Sequence, residues 1–119
     1  MDLTYNYSDI EPKFVTCERN LGRNVYTINF DVKKLTKKEA SDGQKYKYHS
    51  ITLPAGQYDR STVISAIICQ RFSNDEMQAI INNYLLDATD EEALQEFTVM
   101  QEYRKFAKQL ADKFLTEIA

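Results

Sequence analysis

Tryptophan is absent from this chain, and glycine, proline, cysteine and histidine together supply only eight of its 119 residues. So little glycine and proline excludes collagen-like, linker-like and loop-dominated architectures. Cys17 and Cys69 stand far apart, and His49 is the sole histidine. These three cannot assemble the roughly four soft ligands of a zinc site, so no metal or other cofactor is expected. A chain this rich in apolar residues needs no disulfide staple, and the two thiols read as reduced, small hydrophobes in a cytoplasmic setting. No apolar run approaches the ~20 residues that cross a bilayer. The opening Met1-Asp2-Leu3-Thr4-Tyr5 lacks the basic and apolar regions of a secretory signal. Charge of one sign is missing too: 15 basic against 18 acidic side chains leave −3, with no general attraction to nucleic acid or anionic membrane.

What is present suits one folded domain, with 43% hydrophobic and 28% charged residues. The reading is a single α+β domain over 1–119, strand-rich over 1–56 and helical over 57–119. In the first part, Tyr26, Ile28, Phe30 and Val32 alternate with Val25, Thr27, Asn29 and Asp31, the period of a strand with one buried face. Lys45 to Leu53 is its natural partner, but the phase slips: Tyr46 and Tyr48 share one face, Ile51 and Leu53 the other. A bulge near His49-Ser50 would bring all four to the core; otherwise the two tyrosines face outward. Asp42-Gly43 marks a turn between these strands. Further strands are expected around Phe14-Cys17 and near Tyr5-Tyr7, giving an antiparallel meander of three or four strands.

The second part carries helix-start signals. A turn at Leu53-Pro54-Ala55-Gly56 leads to Asp59, which can cap a first helix through Val63-Ile68. Ser73 and Glu76 form a capping box for a second helix, whose stripe is Met77, Ile80, Ile81, Tyr84 and Leu85. Thr89 and Glu92 repeat the box for a third. From Asp90 to Ile118 there is no Gly or Pro, and Ala93, Phe97, Met100, Tyr103, Ala107, Leu110, Ala111, Phe114 and Ile118 share one side. At 1.5 Å per residue that helix would run roughly 40 Å, against a radius of gyration of about 13–14 Å for a compact domain of this size. An overhanging apolar end would seek cover, which predicts self-association or a protein partner through Tyr103, Phe106, Leu110, Phe114 and Ile118. Val99 and Phe106, apolar but off the main stripe, point the same way.

Between Phe72 and Arg104 there is no Lys or Arg but eight acids; the region Lys33, Lys34, Lys37, Lys38, Lys45 and Lys47 is basic. That basic hairpin could meet the acidic helices of a neighbouring copy, or hold phosphate as a nucleic-acid accessory protein would. Helices one and two resemble a helix-turn-helix in outline, yet Asn74 to Asp87 carries three acids and no base, which phosphate would repel. Nucleic acid is therefore the lesser partner. Catalytic signatures are missing: His49 lies on an expected strand without a nucleophile motif, and the solitary glycines build no phosphate cradle. Asp87 to Glu92 lacks the ligand order of a calcium loop, and Glu92 with Glu96 lacks a matching Glu-x-x-His. The chain reads as no enzyme.

Three segments, Ile51 to Asp59, Phe72 to Leu85 and Phe97 to Lys105, resemble a group of small proteins encoded in phage and prophage-like regions of gut bacteria. The resemblance spans roughly Tyr46 to Ala111. Its members often carry Trp at the place of Tyr103, where a tyrosine still supplies an aromatic anchor. The group has no established activity, so the resemblance implies a context, a phage-derived accessory or assembly protein, and no site residues.

Overall fold

The computed structural model describes residues 3–36, 43–53 and 58–118. Lys37 and Lys38 lie outside these, as does most of the turn expected at Leu53-Pro54-Ala55-Gly56. The architecture is α+β, a four-stranded antiparallel sheet followed by three helices, the last one long. The chain divides into two compact units, Asp2–Tyr58 and Asp59–Ala119.

In the first unit the strands are β1 (Asn6–Ser8), β2 (Val15–Asn20), β3 (Arg23–Lys34) and β4 (Tyr46–Thr52). Their order, β1-β4-β3-β2, differs from a four-strand meander: β2, β3 and β4 follow one another, while β1 closes onto the far side of β4. That is the winding of a Greek key. Asn29 fastens the connection from β1 to β2, donating its backbone N–H to the Phe14 carbonyl at 2.7 Å and its side-chain amide to the Lys13 carbonyl at 2.8 Å. Leu21 and Gly22 turn the chain between β2 and β3, both at positive φ (51° and 77°). Two such residues make the type I′ turn that matches strand twist.

The phase slip is resolved on β3, not on β4. Phe30 pairs with His49 and Lys33 with Lys47, so Asp31 and Val32 together oppose Tyr48 alone. This bulge, with Asp31 at φ 54°, shifts the alternation by one residue. Leu35 thereby joins Ile28 and Phe30 on the buried face, and Val32 is left exposed. His49, Ile51 and Leu53 are buried from β4, while Tyr46 and Tyr48 on the other face are half-buried. β4 alternates without a bulge, so Tyr46 and Tyr48 lie on the face away from Ile51 and Leu53, the second of the two expected arrangements, and the bulge is on β3. Periodicity reports relative phase, and either strand can carry the insertion.

In the second unit α1 (Arg60–Arg71) starts on Asp59, whose carboxylate accepts from the Thr62 N–H at 3.3 Å. Hydrogen bonds from Thr62 and Ser61 hold the Asp59 carboxyl below its ordinary range. α2 (Asn74–Leu86) starts on Ser73 with a complete capping box: Glu76 N–H donates to Ser73 Oγ at 3.0 Å and Ser73 N–H to Glu76 Oε1 at 3.4 Å. The third start is a correction. Asp90 Oδ1, not Thr89, accepts from the Glu92 N–H at 3.0 Å to open α3 (Glu91–Ile118). Thr89 is engaged one turn earlier, its N–H and hydroxyl both donating to Asp87 Oδ1 at 3.0 and 2.6 Å.

α3 is one unbroken helix of 28 residues, burying Ala93, Met100, Tyr103, Ala107, Leu110, Ala111 and Phe114. The bidentate pair of Arg60 with Asp112, at 2.8 and 3.4 Å, ties the start of α1 to the last third of α3. It raises the Arg60 value and lowers that of Asp112. Near the other end of α1, the Tyr103 hydroxyl donates to the Ile67 carbonyl at 3.4 Å, and burial pushes that phenol upward. α1 therefore lies along the C-terminal two-thirds of α3. α2 meets the beginning of α3, where Tyr84 stacks on Phe97 with ring centroids 4.2 Å apart.

Candidate functional site

Apolar surface is left over on α2 and the beginning of α3. The stripe Met77, Ile80, Ile81, Tyr84 and Leu85 has the full helical spacing, yet α2 buries no residue at all. Its first four members are half-buried. Leu85 is 73% exposed and Leu86, on the next 100° of the same turn, 86%. Across from them Leu94 is 45% and Val99 37% exposed. One 13-residue helix laid on α3 covers a single strip, and grooves open on both of its sides. One groove, about 460 Å³, is lined by Phe72, Ala79, Ile80 and Val99 together with the charged Arg71, Glu76 and Glu96. The other, about 580 Å³, runs along Ile68, Met77 and Ile81 beside Asn74, Asn82 and Arg104.

Of the contact residues expected on α3, Tyr103, Leu110 and Phe114 are buried within the chain, and Phe106 and Ile118 are half-buried. α1 lies over this stretch, with Arg60 at its start paired to Asp112. Uncovered apolar surface therefore lies at the start of α3 rather than at its end. Val99 was legible as an apolar residue on the polar side of the helix. Leu85 was hidden by its membership of the stripe; Leu86 and Leu94, off their stripes, carried the same signal as Val99.

The sheet unit holds a second cluster. Tyr5 stacks on His49 with centroids 4.0 Å apart, and its hydroxyl donates to Asp31 Oδ2 at 3.3 Å while accepting from Lys33 Nζ at 3.3 Å. Lys47 Nζ lies 4.9 Å from the Tyr5 ring centre. Lys33 and Lys47 are direct cross-strand partners, an arrangement that like charge alone would oppose. Asp31 offsets it, 3.8 Å from Lys33, and the bonds to Tyr5 and Asp31 raise the Lys33 value.

His49 Nδ1 faces the Thr4 carbonyl at 3.1 Å and must donate to it, because a carbonyl only accepts. Nε2 faces Asp31 Oδ2 at 3.4 Å. Through Nδ1 this histidine ties the N-terminal segment to the sheet. Of the six lysines considered for phosphate contact, Lys33 and Lys47 come together around a carboxylate and an already stacked ring. Lys34 lies on the opposite face, and Lys45 begins the β4 side of the hairpin. That arrangement neutralises charge where a nucleic-acid groove would concentrate it. Among the described residues no group of three or more His, Cys, Asp or Glu is placed to hold a metal ion. Among the described residues no helix is long and apolar enough to cross a membrane.

Both cysteines are free thiols, as expected, and both are exposed. Cys17 is exposed on the edge strand β2, opposite Tyr26, and Cys69 is exposed on α1. Comparison with protein-family models, with curated proteins and with solved structures finds no match.

Proposed function

We propose that this protein is a non-catalytic protein–protein interaction module, an assembly component of the kind a phage-derived accessory protein supplies, and that α2 with the start of α3 is its contact surface. One observation carries the reading: a helix with an unbroken apolar stripe buries nothing completely, and four large aliphatic side chains, Leu85 and Leu86 on it and Leu94 and Val99 on α3, stand in water. Single exposed leucines are ordinary, but four large aliphatic side chains left in water within two neighbouring helices are more than scatter supplies. Fully covering one such side chain contributes about 1.5–3 kcal/mol. Four together could support a partner without any residue of the buried core taking part.

A photoreactive phenylalanine analogue placed at Leu86 or Leu94, in the cells that make the protein, tests this. Adducts are expected at these positions and not at the exposed control position Gln109. Equal yields at all three would sink the reading.

A further inference from the structure

The two edges of the sheet are built differently. β1 is three residues long, the blunted kind of edge that offers little to another strand. β2 runs six residues, pairs with β3 without a register shift, and carries no proline, lysine or bulge to protect it. Its outward groups can be named. The Phe14 carbonyl accepts from the Asn29 N–H of β3. By alternation Thr16, Glu18 and Asn20 turn their N–H and C=O toward β3, while Val15, Cys17 and Arg19 turn theirs away. No described backbone group meets these three on the outer side. Thr16, Cys17, Glu18 and Arg19 are exposed, so the edge stands open.

β2 of a second copy fits this edge in one register. Set antiparallel about Cys17, Val15 faces the partner's Arg19 and Cys17 faces the partner's Cys17. All the outward residues of both copies then exchange backbone bonds, about six in total. Thr16 lies against the partner's Glu18, whose carboxylate its hydroxyl can meet, and the two Glu18 side chains are diagonal, roughly 7–8 Å apart. Sliding by two residues either way keeps only about four bonds. One slide puts Glu18 directly opposite the partner's Glu18. The other sets Lys13, whose carbonyl Asn29 already holds, against the partner's Arg19.

We propose that β2 pairs antiparallel with β2 of a second copy, Cys17 opposite the partner's Cys17, and joins two four-stranded sheets into one. Each copy has one such edge, so the pairing is two-fold and closes at a dimer. It uses the sheet unit alone and goes beyond the contact surface on α2 and α3.

In sedimentation velocity of the full-length protein with a reductant present, mass should rise with concentration from monomer to dimer. Cys17→Pro deletes an outward N–H and no bond to β3, a change that an edge strand tolerates. It should hold the protein monomeric with the circular dichroism of the parent. Thr16→Glu sets like charges across the join twice and should weaken the dimer roughly tenfold, while Thr16→Lys should strengthen it. Thr16 is exposed, so this pair of variants decides even if the proline unfolds the chain. Copper-catalysed oxidation should link the Cys69→Ser protein into dimers much faster than the Cys17→Ser protein. A hydrogen-bonded cross-strand pair holds its Cα atoms about 5.5 Å apart, within the roughly 4.4–6.8 Å that a disulfide spans. A monomeric parent, a folded Cys17→Pro protein that dimerises as the parent does, Thr16 variants that shift the dimer the same way, or equal oxidation rates would each overturn the β2 join. Photocrosslinking at Leu86 and Leu94 reports on α2 and α3 separately, so either reading can fail while the other stands.

Discussion

Deleting Val32 should leave the protein folded, an outcome that a conventional view of deletions inside strands would not expect. β3 carries one residue more than β4 requires, since Asp31 and Val32 share the partner Tyr48. Without Val32 the ladder becomes regular, with Asp31 opposite Tyr48 and Lys33 still opposite Lys47. Ile28, Phe30 and Leu35 all keep their buried face. Several terms then nearly cancel. Releasing Asp31 from φ 54° recovers about 1 kcal/mol, the low end of the left-handed cost because Asp tolerates that region. A restored ladder bond adds about 0.5–1.5 kcal/mol. Against this, Asp31 turns to the other face and loses Tyr5 and His49, a loss of about 1–2 kcal/mol at a side chain 41% exposed.

The net change is expected within about 1 kcal/mol of zero, measured as the urea midpoint of the full-length protein. Deleting Asn29 is the control. Closing the ladder there turns Phe30 to the opposite face and removes its burial, about 1.5–3 kcal/mol, together with the two hydrogen bonds to Lys13 and Phe14. If the Val32 deletion costs as much as the Asn29 deletion, the bulge does not carry the spare residue and the register argument is wrong.

Two further outcomes follow from the local geometry. Leu21 sits at φ 51° with 96% of its surface in water, so Leu21→Asn should stabilise the β2–β3 hairpin by about 0.5–1 kcal/mol; an unchanged or lower thermal midpoint would contradict this. Asp59, Asp87 and Asp112 all have folded values below the ordinary 3.8, so their stabilisation is complete above pH ~4 and is lost as pH falls through the folded values. The urea midpoint of the helical unit, followed by helical circular dichroism, should decline from pH 5 to 2 by less in the variant Asp59→Asn/Asp112→Asn than in the parent, and parallel declines would refute the assignment.

Much of the fold was readable from local chemistry. Asp59 and Ser73 cap their helices as their side chains demand, and the stripe of α3 from Ala93 to Phe114 goes inside except at Phe97, which is half-buried. Errors arose where two residues of similar chemistry competed for one role. Thr89 and Asp90 are both good caps, and the carboxylate of Asp87 decides the matter by engaging Thr89 first. The position of β1 beside β4 is a non-local pairing that no alternation within three residues can announce.

The contact surface was the least legible part, because a helical stripe reports which residues share a side and not whether anything covers that side. Leu85 is on the stripe and in water; Tyr103 was expected at a surface and is inside. The cluster around Tyr5 was equally hidden, since only the bulge at Asp31 brings that carboxylate to the same face as His49.

Each compact unit presents a single thiol to solvent, Cys17 in the sheet and Cys69 in α1. The natural chain therefore arrives equipped for site-specific dye attachment: one maleimide per half, donor and acceptor, with no engineered cysteine. Energy transfer between them would read how far apart the halves stand and how widely that separation fluctuates. For the same reason, any preparation left to air oxidation will form covalent ladders on a gel, and only specimens kept reduced will report genuine non-covalent association.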